Sequence, residues 1–198
     1  MVKRKMKSKE KISKKNYYKA KSLYENNRLN EALNLLNETI KIVPKDLNLY
    51  HLRGRVFQDL KKYKNAIKDF NTVLKHFPND IDVLLDIAYN YYMLGQYNKA
   101  IEIYDKILRI KNNHLKAYYN KSLILNELKR YNDALETITT AFNLYPLEHD
   151  IIKLQGIILY NMNRFEESIE CFNRVLFFRP DDEECKYFKE IIEKILQE

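Results

Sequence analysis

Nucleophilic, acid–base or metal chemistry would have to be built from four histidines and two cysteines, and their spacing supports none of it. His51, His76, His114 and His149 lie far apart in the chain, with no i, i+4 pair and no cysteine nearby to complete a zinc site. Cys171 and Cys185 make neither a C-x-x-C pair nor a disulfide framework. Cys171 stands beside Phe172 and reads as an inert thiol of a helix face. The run Asp181, Asp182, Glu183, Glu184 lacks the ligand spacing of a calcium loop and suits the start of a helix instead. Gly54, Gly95 and Gly156 are the three glycines, too scattered for a phosphate-cradling loop. The expectation is a chain without catalytic residues, metal or cofactor.

A second chemistry, anion binding, is raised by the net charge of +8. Residues 1–21 contain ten Lys/Arg and one Glu, leaving 25 basic and 26 acidic groups in the rest. The body is thus nearly neutral and the basicity belongs to the leading segment. Such a segment can bind phosphates, which makes RNA or polyanion binding an alternative function; a solvated tail that aids solubility is the plainer reading. That segment has no apolar stretch behind its charges, so it does not read as a secretory signal. No apolar run approaches the roughly 18 residues that span a bilayer. A soluble, cytoplasmic protein with no membrane partner is expected.

What must position any binding residues is a repeat. "YKNAIKDFNTVLKHFPND" from Tyr63 is echoed by "YNKAIEIYDKILRIKNNH" from Tyr97, "YNDALETITTAFNLYPLE" from Tyr131 and "FEESIECFNRVLFFRPDD" from Phe165. Pro44, Pro78, Pro146 and Pro180 keep a 34-residue step, with Asn112 standing where one proline is missing. Five units follow, 13–46, 47–80, 81–114, 115–148 and 149–182, and a fixed period of this size marks a solenoid. Leu84, Ile87, Ala88 and Tyr91, then Tyr97, Ala100, Ile101, Tyr104, Ile107 and Leu108, have i, i+3, i+4 spacing, so each unit is two amphipathic helices. One small-residue column reads Ala32, Ala66, Ala100, Ala134, Ser168 and another Ala20, Gly54, Ala88, Ser122, Gly156. Small side chains let helix axes approach, and proline ends each second helix.

These columns resemble the tetratricopeptide repeat, a 34-residue helix–turn–helix unit. The resemblance implies an all-α, right-handed α-solenoid acting as a non-enzymatic protein-binding scaffold or adaptor. Two departures stand out. The family's early tryptophan is replaced by Asn16, Tyr50, Leu84, Tyr118 and Ile152. Its leucine before the first small residue becomes Lys19, Arg53, Lys121 and Gln155, with Ile87 in the third unit. Residues 183–198 read as a C-terminal capping helix, and 1–12 as a flexible basic arm.

In the family this resembles, the first helix of each unit lines a concave groove that takes an extended peptide or a partner helix. The corresponding positions here include Tyr17, Lys21, His51, Arg55, Leu85, Tyr89, Tyr92, Tyr119, Leu123, Asn126, Ile157 and Tyr160. Tyrosine suits such a surface, offering rigid area and a hydroxyl at little entropy cost; packing inside the solenoid or on the terminal helix is the competing use. A clamp for chaperone tails is not expected, because Lys116 and Asn120 match only fragments of its Lys/Asn pattern. A regulatory subunit of a larger enzyme complex is a further alternative.

Overall fold

The computed structural model describes residues 2–197, with side chains described from Lys9 onward. All regular structure among the described residues is α-helical. The chain divides into two compact units, Met1–Ile103 and Tyr104–Glu198. In the first, α1 (Val2–Glu25) pairs with α2 (Leu29–Ile42), α3 (Leu47–Asp59) with α4 (Tyr63–Leu74), and α5 (Ile81–Met93) leads into α6 (Tyr97–Ile110), within which the division falls. The second holds the pairs α7 (Leu115–Glu127) with α8 (Tyr131–Leu144) and α9 (His149–Asn161) with α10 (Phe165–Phe178), then α11 (Glu183–Ile195). Successive helices pack on one another from α1 to α5 and from α7 to α11, and neighbouring first helices touch: α1 with α3, α3 with α5, α7 with α9, α9 with α11.

The punctuation is periodic. Each hairpin turns through one residue of positive φ, at Asn27, Lys61, Gly95, Lys129 and Asn163, with φ between 57° and 67°. Asp46, Asp80 and Asp182 cap the helix that follows each connection, accepting from the N–H of Asn48, Val83 and Cys185. His114 does the same through Nδ1, which accepts from the Ala117 N–H at 3.2 Å. The missing proline changes little: α6 still ends at Ile110, and the Tyr118 hydroxyl donates to the Asn112 carbonyl at 2.9 Å. Tyr50 makes the equivalent bond to the Pro44 carbonyl at 3.1 Å.

Both small-residue columns are fully buried. At Gly54 an added Cβ would lie 2.6 Å from the Phe70 ring, and at Gly156 it would lie 2.8 Å from Phe172. Ala20 stands in the same place with Leu36, both inside one cluster with Leu33, Leu49 and Val56. At these three places the small column and the bulky column sixteen residues on compensate in size: glycine faces phenylalanine at Gly54–Phe70 and Gly156–Phe172, and alanine goes with leucine at Ala20–Leu36. Phe172, Val175, Cys185 and Ile192 form a separate core that joins α11 to α10.

One difference from expectation lies at the amino terminus. Of the segment 1–12, expected as an arm apart from the first repeat, residues 2–12 are helical backbone continuous with the rest of α1, and Met1 lies outside the described residues. Residues 2–25 contain no glycine or proline to stop the helix, and lysine is a good helix former.

Candidate functional site

Three of the four polar residues that replace the family's leucine reach back to the preceding second helix, sixteen residues earlier; Lys19, on the first helix, is exposed. Arg53 Nη1 donates to Asn37 Oδ1 at 2.9 Å, Lys121 Nζ meets Asp105 at 2.6 Å, and Gln155 Nε2 donates to Thr139 at 3.3 Å. Arg53 also grips the buried Asp69 with two bonds of 2.7 and 2.8 Å, and its guanidinium lies over Tyr50 and Phe57. These side chains are spent on packing between helices. The remaining positions on the first helices form the candidate surface.

In the first unit that surface is laid on α1, α3 and α5. Tyr17 and Tyr24 are half-buried against the Ala20–Leu36 cluster, while Lys21 is exposed, 3.8 Å from Glu25. The Arg55 guanidinium sits 5.6 Å from the centre of the Tyr24 ring. Burial, helped by a hydrogen bond to Asp59, pushes the Tyr24 hydroxyl's pKa up. His51 Nε2 lies 3.2 Å from Asp86 Oδ2, with the imidazole edge-on to Phe70. Asn90 Nδ2 donates to Gln58 at 2.6 Å. On α5, Leu85 is half-buried and Tyr89 is 43% exposed; Tyr92 packs its ring 5.6 Å from Tyr97.

In the second unit Tyr119 and Leu123 are half-buried on α7. Burial, then the charge of Asp150, raises the Tyr119 pKa. Asn126 Oδ1 accepts from Asn161 Nδ2 at 2.9 Å. Ile157 and Tyr160 pack on the terminal core, and the Tyr160 ring lies 5.1 Å from Phe188 of α11. Lys153 bridges Asp182 at 3.1 Å and Glu184 at 3.0 Å.

Of the twelve positions expected on the groove, seven fall on the first unit and five on the second. Tyr89, Lys21 and Arg55 are the exposed ones. Sequence reasoning passed over the carboxylates Asp59 and Asp86, which tie neighbouring first helices to Tyr24 and His51. The legible signal was an offset of 35 residues, one repeat plus one, at both pairs. Neither thiol is activated: burial lifts Cys171 to about 11, and burial with a hydrogen bond to Asp182 lifts Cys185 to about 12. Among the described residues no group of three or more His, Cys, Asp or Glu could hold a metal, and no helix is long and apolar enough to cross a membrane.

Comparison with known proteins places this geometry. The family described as anaphase-promoting complex, cyclosome, subunit 3 matches residues 1–73 and, a second time, 63–141. The tetratricopeptide repeat family matches residues 154–182. A search of curated proteins finds no match. Among solved structures, a tetratricopeptide repeat protein from Parabacteroides merdae superposes with a TM-score of 0.85 at 18% identity, over 94% of this chain and 74% of that one. YrrB, described as a TPR protein with an unusual peptide-binding site, gives 0.73 at 18% identity over 88% and 90%. MamA from Desulfovibrio magneticus RS-1 gives 0.77 at 19% identity over 87% and 97%. At these identities the structures share a fold and nothing finer. With two stretches of the same family description laid one after the other along the repeats, and helix pairs keeping a 34-residue step, the chain belongs to the tetratricopeptide repeat family.

Proposed function

We propose that this chain is a non-enzymatic protein-interaction scaffold whose first-helix faces hold an extended peptide or a partner helix. The observation that carries this reading is the state of α5. Leu85, Tyr89 and Tyr92 follow i, i+4, i+7 spacing, and Tyr89 is 43% exposed while Val83, Leu84, Ile87, Ala88 and Asn90 of the same helix are buried. A large, stiff, half-uncovered aromatic beside an aliphatic side chain is the kind of anchor that recognition surfaces use. Around it the polar pairs His51–Asp86 and Asn90–Gln58 hold the neighbouring backbone in place, so a ligand would meet a preorganised surface. Tyr119, Leu123 and Asn126 supply a comparable face on the second unit, where Ile157 and Tyr160 serve the terminal core instead. The peptide-binding site named for YrrB is in keeping with this use of the fold.

The test is capture from native lysate by the whole chain, followed by mass spectrometry, against a Tyr89→Ala/Tyr92→Ala variant. Loss of the captured partner with an unchanged helical circular dichroism spectrum is expected. Capture that survives the double substitution would place the binding surface elsewhere.

A further inference from the structure

Helix α1 is longer than the rest. It runs for 24 residues where the other helices run 12 to 14, and its surplus is basic. One face of its C-terminal half, with Ser13 and Ala20, is buried against the first repeat. On the opposite face Lys11, Lys14, Lys15, Tyr18 and Lys21 follow i, i+3, i+4, i+7, i+10 spacing, and all five are exposed. Among the described side chains only Lys21 of these lysines has a carboxylate partner, Glu25 at 3.8 Å. Tyr18 is 58% exposed and meets Tyr17 edge-to-face at 5.5 Å. Beside this stripe lies an open hollow of ≈ 630 Å³, walled by Tyr17 and Tyr18, with Lys14, Lys45 and Asn48 around it. Its two carboxylates are Glu10 and Asp46; Asp46 already accepts from the Ser13 hydroxyl and the Asn48 N–H.

We infer that the outer face of α1 and this hollow bind single-stranded nucleic acid, a function separate from the peptide-binding faces. The chemistry selects among polyanions. A membrane surface would call for a row of bulky apolar residues on the outward face, and the described part of α1 exposes Tyr18 and, at 37%, Ile12 among its lysines. An acidic peptide would use the charge and leave the aromatic pair idle. Single strands use both: lysines neutralise phosphates, and an exposed ring takes a base, as sequence-tolerant binders of single strands do. Lys11 to Lys21 covers about 15 Å of helix, enough for a few nucleotides.

The test uses the full chain and a fluorescein-labelled 12-mer of uridine, read by anisotropy at 50 and 200 mM salt. Four to five neutralised phosphates give a slope of about −3 in log affinity against log salt, a loss of roughly 60-fold across that range. Lys11→Gln/Lys14→Gln/Lys15→Gln should flatten the slope by about 2. Tyr18→Ala should leave the slope alone and weaken binding about tenfold. All four positions are exposed, and circular dichroism confirms each variant's fold. Vesicles of phosphatidylcholine with 30% phosphatidylserine, and a twelve-residue glutamate peptide, serve as competing probes. Binding of either probe at or above the RNA's affinity overturns the inference, as does an RNA affinity indifferent to Tyr18→Ala. Neither outcome bears on capture by the α5 tyrosines.

Discussion

Gly54→Ala should change sign with the residue it faces. In the native chain the new Cβ would sit 2.6, 2.9 and 2.9 Å from three ring atoms of Phe70, all inside any real carbon–carbon contact. The ring is wholly buried and held in a cluster with Ala66, Val73, Val83 and Ile87, so it cannot swing away into solvent. Overpacking of this kind costs about 1–3 kcal/mol. Against it stands the gain from replacing a mid-helix glycine by alanine, about 1 kcal/mol. The net expectation is a destabilisation of about 1 kcal/mol, or about 2–4 °C in Tm for a chain this size.

Phe70→Leu alone removes buried ring atoms and should cost about 1–2 kcal/mol, below the range for truncation to alanine. With the ring gone, the clash goes too, and only the helix-propensity gain remains. Gly54→Ala on that background should therefore stabilise by about 1 kcal/mol. The Ala20 and Leu36 pair, both fully buried in one cluster, already realises that combination in the first repeat. Urea melts followed by far-ultraviolet circular dichroism on all four proteins close the cycle, with a coupling of about 2 kcal/mol expected. An effect of the same sign in both backgrounds would refute the idea that the two columns compensate in volume.

Three further outcomes follow from the same geometry. Lys61→Gly and Lys129→Gly, which relieve positive φ in the hairpin turns, should each stabilise by about 0.5–1 kcal/mol in thermal melts, whereas Gly95→Ala, at φ 67°, should cost about 1 kcal/mol. Asp69→Ala strands the Arg53 guanidinium, whose side chain is 18% exposed, and should cost about 3 kcal/mol; Arg53→Leu with Asp69→Leu should lose much less in the same urea titration. Asp182 is partly desolvated, which alone would raise its pKa, yet the Cys185 N–H and Lys153 hold it below the usual carboxylate value. Its contribution is therefore complete above about pH 4 and lost as pH falls through that lowered pKa. Acid titration of Asp182→Asn should show a shallower loss of stability over that window than the native chain.

The fold was legible because its rules are written once per repeat. Each proline, cap and small residue recurs at a fixed step, so a lapse at one position, such as Asn112, is outvoted by four others. The candidate surface was less legible, for a reason visible in single residues. Tyr92 and Tyr160 occupy the same repeat position, and both rings pack on the aromatic that opens the following helix, Tyr97 at 5.6 Å and Phe165 at 6.0 Å. Tyr160 in addition meets Phe188 of α11 at 5.1 Å, an element outside the repeat whose reach no periodic reading of α9 could supply. Likewise the basic segment carried its charge openly, but the lack of any breaker between residues 2 and 25 was the decisive feature, and it turns an expected arm into a helical stripe.

The departures from the family's pattern point the same way. A lysine or arginine where the pattern has leucine reads, alone, as a weakened core. Paired with the residue sixteen positions earlier, it reads as a substitute linkage: Arg53 to Asn37, Lys121 to Asp105, Gln155 to Thr139. Where the first helix offers Ile87 instead, that side chain goes into the apolar cluster. A hydrogen bond between helices demands a direction and a distance, which a hydrophobic contact does not. A repeat array joined this way fixes the register of successive hairpins at partly buried positions. Its remaining first-helix residues, relieved of that task, are free to differ from one repeat to the next, as a surface for a specific partner requires.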